Sequence, residues 1–153
     1  IYHYTYDTEL GSATIVEEDG ALLVISTHRS VEGVYQETTL IKEAYQQLCE
    51  YLKGERTEFD LPLNPKGTDF QKRVWKALCE IPYGETRSYK QIAEAIGNPK
   101  AVRAVGMANH RNPLLIVVPC HRVIGAEGKL VGYASGIDKK AFLLQLEAKY
   151  PKP

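Results

Sequence analysis

The sequence predicts an α+β protein in two parts, a small antiparallel sheet with one helix followed by a mostly helical region. Three observations lead there. Early in the chain, "IYHYTY", "GSATIVEE" and "ALLVIS" are rich in aromatic and branched residues and are interrupted by "EDG", as in a small antiparallel sheet. At Leu61 to Thr68, "LPLNPKGT" holds two prolines and a glycine, which continue neither a helix nor a central strand. The charge also changes sign there. Residues 1–66 carry 5 Lys/Arg and 12 Asp/Glu, a net −7, whereas residues 67–153 carry 14 and 7, a net +7. These observations place the parts at residues 1–62 and 63–153.

Each element follows from local pattern. After the strands, "TTLIKEAYQQLCEYLKGE" sets Leu40, Ile41, Ala44, Tyr45, Leu48 and Leu52 at helical spacing and ends on Gly54. Thr68 or Asp69 caps a second helix with Phe70, Val74, Leu78 and Ile81 on one side. Pro82 and Gly84 break the chain in "IPYGET". From Ser88, "SYKQIAEAIG" turns Ile92, Ala93 and Ile96 inward and stops at Gly97. "NPK" is a turn, "AVRAVGMAN" a further short helix, and "NPLLIVVPCHRV" a buried strand ended by Pro119. "KKAFLLQLEAKY" is the last helical pattern.

The 153 residues, 44% hydrophobic and 25% charged, fall in the globular range and suffice for one domain or two small ones. The apolar run Leu114 to Val118 is far short of the roughly 20 residues that span a bilayer. The first residues lack the basic and apolar regions of a signal peptide. The expectation is a soluble protein of the cytoplasm, or of the nucleus in a eukaryote, with no membrane partner. Cys49, Cys79 and Cys120 are odd in number and widely spaced, which fits neither a disulfide framework nor a paired-cysteine zinc site. Cys49 and Cys79 are expected to pack. His3, His28, His110 and His121 form no ligand spacing, so no metal is expected.

The positive second half favours a nucleic-acid partner, because neutralising phosphates is a common use of a concentrated basic field. Attraction between the two oppositely charged halves is an equally open reading. Helix, short turn and small-residue helix is also the outline of a helix-turn-helix, although the same outline occurs in proteins that never touch DNA. Around Arg103 stand Ala101, Val102, Ala104, Val105, Gly106 and Ala108, too small and apolar to read major-groove base edges. Small residues with one arginine suit the minor groove without strong sequence preference, or simply close helix packing.

"PCHRV", residues 119–123, places a thiol beside a histidine and an arginine. A nucleophilic cysteine needs positive charge nearby and a base to take its proton, and His121 and Arg122 supply both residue types. In a regular strand, however, the side chains of Cys120 and His121 would point to opposite faces. Either the backbone bends there or a water joins them. A third group normally orients such a histidine, and Glu147 is a candidate, although its spacing alone suits a solvated helix position.

With these residues in view, the chain resembles the O6-alkylguanine-DNA alkyltransferases, the methylated-DNA-protein-cysteine methyltransferase family. The likeness covers most of residues 67–149 and rests on "FQKRVWKALCEIPYGETRSYKQIA", "GNPKAVRAVGMANHRNP", "VVPCHRVIG" and "GYASG". It implies a ribonuclease H-like domain over 1–62 and a winged helix-turn-helix-like domain over 63–153. Cys120 would accept the alkyl group, His121 would take its proton through a water, and Glu147 would orient the histidine. Tyr89 would lie at the flipped nucleotide and give a proton to the departing guanine. Arg103 would fill the vacated place in the stack. Asn112 would hold the turn that brings the active-site loop against the recognition helix. Lys100, Ala104, Gly106, Asn109 and Arg111 would join Arg103 and Tyr89 at the DNA, and Val123, Tyr133, Ala134 and Ser135 would line the base pocket.

The implied function is direct DNA repair. One alkyl group, typically methyl, passes irreversibly from O6 of guanine in duplex DNA to Cys120 after base flipping through the minor groove, with O4 of thymine left open. The resemblance implies no cofactor and a monomer, with cooperative binding on DNA left open. Ala134 stands where some relatives have a serine, and Asn109 where others have an apolar residue. Some relatives hold zinc through amino-terminal cysteines and histidines, but here only Cys49, His3 and His28 are available, so no zinc is expected. The alternatives are a lesion-binding sensor without transfer, and a cysteine acyltransferase or hydrolase acting on a small molecule.

Overall fold

The computed structural model describes residues 1–130, 133 and 135–150. Two compact units form. The first comprises residues 1–66 with 113–115, and the second residues 67–112 with the described part of 116–153. The sequence boundary after residue 62 falls short of the first unit's end because Leu63 bridges to Leu22.

In the first unit β1 (Tyr2–Thr8), β2 (Gly11–Glu18) and β3 (Ala21–Ser26) form an antiparallel meander, and β4 (Val34–Tyr35) joins β1 in parallel. The spatial order is β3-β2-β1-β4. Asp19 and Gly20, both at positive φ (51° and 78°), make the two-residue link whose twist suits a hairpin. Ala13, Ile15 and Val16 of β2 and Leu22, Leu23 and Ile25 of β3 are buried. So are Ile41, Ala44 and Leu48 of α1 (Thr39–Leu52), which packs on the sheet. Thr38 caps that helix by accepting from the Ile41 N–H at 3.1 Å. The open side of β3 is closed by backbone bonds to Pro62, Asn64, Pro113 and Leu115, so its edge is not left unpaired.

The second unit packs α2 (Asp69–Cys79), α3 (Tyr89–Ala95) and α4 (Val102–His110) against one another. Reciprocal capping boxes, Thr68 with Gln71 and Ser88 with Gln91, satisfy the first donors of α2 and α3. Trp75 is buried and donates its indole N–H to the Ala108 carbonyl at 2.9 Å, tying α2 to α4. Gly97 follows α3 at φ 78°, a conformation that costs a side-chain-bearing residue. A two-residue parallel ladder joins β5 (Arg87–Ser88) to β6 (Val123–Ile124). Tyr89, the residue after β5, is thereby brought to the turn that precedes β6. The last helix, α5 (Ile137–Lys149), buries Lys140, Leu143, Leu146 and Glu147.

Two sequence expectations fail. Leu114, Leu115, Ile116 and Val118 are buried, with Val117 half-buried, but the run is not a strand: Leu114 makes one isolated bridge to Ile25, and Ile116 takes φ 70°. A branched side chain rarely adopts that conformation, so the run turns where its composition suggests extension. Cys79, expected to pack, is exposed at the end of α2. No helix among the described residues is long and apolar enough to cross a membrane.

Ser88 should matter beyond its size, because it caps the helix that opens with Tyr89. Ser88→Ala is expected to lower unfolding stability by about 1 kcal/mol in urea denaturation, the usual worth of such a cap.

Candidate active site

The backbone bends at the thiol. Cys120–Arg122 form a single 3-10 turn after Pro119, with the Arg122 N–H donating to the Pro119 carbonyl at 3.0 Å. Side chains along such a turn diverge by about 120°, so the strand objection to Cys120 and His121 working together disappears. Cys120, His121 and Arg122 are all buried.

Behind the turn lies a buried carboxylate. Glu147 of α5 is within 2.7 Å of His121 Nε2 through its Oε2, and Oε1 accepts the Gly84 N–H at 2.9 Å. Arg122 donates to the same carboxylate from Nε at 2.9 Å and from Nη2 at 2.9 Å, and its Nη1 reaches the Ile81 carbonyl at 2.8 Å. The sequence suggested that Arg122 supplied positive charge to the thiol. Instead it neutralises Glu147, which could not otherwise be buried as an anion. Burial pushes the His121 pKa below its ordinary value, against the opposing pull of Glu147. A neutral imidazole bonded through Nε2 to a carboxylate carries its proton on Nε2, which leaves Nδ1 as the basic nitrogen.

The charge near the thiol comes from Lys140, which sequence reasoning missed. Its side chain is fully buried, with Nζ 6.0 Å from the centre of the Tyr89 ring. Burial draws its pKa down to about 8, while the neighbouring Cys120 opposes the shift. Burial also pushes the Cys120 thiol up to about 11, and a hydrogen bond from Asn112 with the Lys140 charge pulls it back. Asn112 further donates to the Val118 carbonyl at 2.8 Å, bracing the segment that leads into the turn.

The outer face of α4 carries a different chemistry. Arg103, Gly106, Met107 and His110, at helical spacing, line an open cavity of about 520 Å³ together with Tyr89, Val102 and Arg111. Met107 and His110 were not singled out from the sequence, although their spacing from Arg103 marks the same face. Ala104, Arg111 and Lys100 are exposed. Asn109, expected at the DNA, is instead buried with 1% exposure and donates its amide to the Cys120 carbonyl at 3.4 Å. Val123 and Tyr133 are buried and Ser135 is half-buried. Ala134 lies outside the described residues. No group of three or more metal-ligating side chains occurs among the described residues.

A basic helical unit with an exposed arginine on α4 and a buried cysteine, histidine and glutamate at the adjoining turn matches what a DNA-binding protein with thiol chemistry requires. Comparisons make the class specific. Residues 69–149 match the DNA-binding domain of 6-O-methylguanine DNA methyltransferase, and residues 1–65 match its ribonuclease-like domain. The methylated-DNA--protein-cysteine methyltransferase of Methanosarcina acetivorans is 48% identical over 96% of this chain and 98% of its own. That of Mycobacterium tuberculosis is 50% identical over 96% of this chain and 92% of its own. A crystal structure of Mycobacterium tuberculosis OGT in complex with DNA superposes with a TM-score of 0.92 at 47% identity, covering 98% of this chain and 94% of that one. The chain belongs to the methylated-DNA-protein-cysteine methyltransferase family, and the α+β expectation stands.

Lys140 yields a pH-dependent expectation. An ammonium beside the thiol favours the thiolate, so Lys140→Met should raise the pH at which Cys120 reacts with an O6-benzylguanine free base. Lys140 loses its proton as pH rises through about 8, so the advantage of the parent protein should be greatest below pH 8 and shrink above it. A profile that is merely scaled at every pH would remove this electrostatic role.

Proposed function

We propose that the chain repairs DNA by a single, irreversible transfer of an alkyl group from O6 of guanine to Cys120. Family membership supports alkyl-transfer repair in general. The observation that carries the assignment to Cys120 is the buried thiol turn braced on the His121–Glu147–Arg122 cluster.

The thiol is buried, and an alkyl group on a stacked guanine is out of its reach, so the base must leave the helix at a cost of a few kcal/mol. Arg103, exposed on α4, fills the vacated place and offsets part of that cost. Val123, Tyr133 and Ser135 line the pocket that receives the base. His121 takes the thiol proton through a water at Nδ1, and Glu147 holds the imidazole and stabilises its charged form. The Cys120 sulfur then attacks the alkyl carbon as the carbon–O6 bond breaks, and the electron pair leaves on guanine. Tyr89 gives its proton to the guanine as that charge develops. The product is a thioether with no ready hydrolytic exit, so each molecule acts once.

The test separates binding from transfer. Cys120→Ser should bind an O6-methylguanine duplex as tightly as the parent yet transfer no radiolabelled methyl. Transfer surviving in Cys120→Ser would contradict the assignment. Arg103→Ala should slow repair of the duplex at least tenfold more than reaction with the free alkylated base, because only the duplex requires extrusion. Equal losses on the two substrates would exclude the extrusion role.

A further inference from the structure

The loop of residues 81–84, which the sequence marked only as a break after α2, meets the carboxylate cluster at three points. The Ile81 carbonyl accepts from Arg122 Nη1 at 2.8 Å, and the Gly84 N–H donates to Glu147 Oε1 at 2.9 Å. Between them in sequence, the Tyr83 ring faces the guanidinium, with Arg122 Cζ 5.6 Å from the ring centre. Tyr83 and Arg122 are 9% and 7% exposed. Burial, with Glu147 nearby, makes the Tyr83 hydroxyl a weaker acid against the pull of Arg122. The contact is therefore that of a neutral ring with a cation, not of a phenolate.

Packing alone would be served by any large apolar side chain. The Arg122 donors lie in the guanidinium plane, Nε and Nη2 reaching Glu147 and Nη1 reaching Ile81. The face of that plane donates no hydrogen bond, so out of water it needs another source of negative potential. An aromatic face supplies one, and desolvation strengthens the attraction. The ring thereby restrains the guanidinium where its donors reach Glu147. What His121 meets depends on this. Burial is the main cause of its low pKa, Glu147 opposes the shift, and Arg122 and Lys140 reinforce it. The Cys79 thiol, at the end of α2, also feels the Arg122 charge. Were the guanidinium to leave Glu147, the carboxylate would act on His121 with less compensation, and the imidazole would hold a proton to higher pH.

We propose that Tyr83 is a positioning residue for alkyl transfer: its ring holds the Arg122 guanidinium on Glu147 and so fixes the charge that the His121 imidazole meets. The inference rests on the role of His121 as the base for the Cys120 thiol. Tyr83 acts through Arg122 and Glu147, not on the alkyl group or the guanine. An imidazole that stays neutral can take the thiol proton over a wider range of pH, and the ring extends that range downward.

The pH dependence of transfer from the O6-benzylguanine free base, which needs no DNA binding, tests this. The rate should fall on the acid side as His121 takes up a proton. Tyr83→Leu should move that fall upward by about half a pH unit, about a threefold loss of rate on the slope, within what a desolvated cation–π contact supplies. On the alkaline side of the fall the two rates should converge. Tyr83→Phe keeps the ring and should leave the fall where it is in the parent. Phenylalanines of increasing ring fluorination at position 83 keep the shape while draining the negative face, so they should move the fall upward in order, and they serve should leucine fail to pack. A rate scaled equally at every pH in Tyr83→Leu, a fall moved as far by Tyr83→Phe, or a fluorinated series without a trend would overturn the inference while leaving the role of His121 intact. A parent-like acid-side fall in His121→Gln would instead remove the base role of His121, and this inference with it.

Discussion

The second unit depends on one buried carboxylate. Glu147 gathers the Gly84 N–H, the His121 imidazole and the Arg122 guanidinium, three groups that lie far from it in sequence. A carboxylate at 2% exposure would be prohibitive alone, and the three donors make it tolerable. In turn it fixes the loop after α2, the thiol turn and α5 relative to one another. Arg122 adds a bond to the Ile81 carbonyl, so the loop is held from two directions. Removing Arg122 would leave the buried Glu147 charge uncompensated, a cost of about 3–5 kcal/mol. Cost and benefit thus meet in a single cluster, which both folds the turn and sets the histidine tautomer.

The thiol itself is kept quiet. Burial raises its pKa to about 11, which keeps the thiol protonated and slow to react with solvent electrophiles. Lys140 and Asn112 temper that burial, and both come from segments outside the turn. Orientation of the base and tuning of the nucleophile are therefore carried by different side chains. Asn109 adds a third contact, its amide on the Cys120 carbonyl, from the inner side of the helix whose outer side carries Arg103.

Much of this was legible in the sequence, and the exceptions have physical reasons. Asp19-Gly20, the apolar stripe of α1 and the capping residues Thr68 and Ser88 are local signals, and each sits where the local rules put it. Leu114 to Val118 misled because buried apolar composition does not distinguish a strand from a turn packed on all sides; Ile116 at φ 70° has no compositional signature. Arg122 lies next to the thiol in sequence, yet its side chain is claimed by Glu147, since a 3-10 turn sends neighbours in different directions. Lys140 and Glu147 share the buried stripe of α5 with Leu143, at spacings of three and four. Two charged residues on an apolar face were the available signal, but a lysine in a helix ordinarily reads as solvated. The resemblance placed Asn109 at the DNA, whereas its position on the inner side of α4 buries it with its amide on the Cys120 carbonyl.

The most direct measurement is intact-protein mass spectrometry after mixing the protein with excess duplex containing one O6-methylguanine, followed by peptide mapping. The account requires a gain of one methyl group, and no more, located on the peptide containing Cys120, with the DNA returned to guanine. Binding of the lesion with no change in protein mass would contradict it and make the chain a sensor. A methyl group on Cys49 or Cys79 would contradict it equally, by moving the nucleophile away from the buried turn.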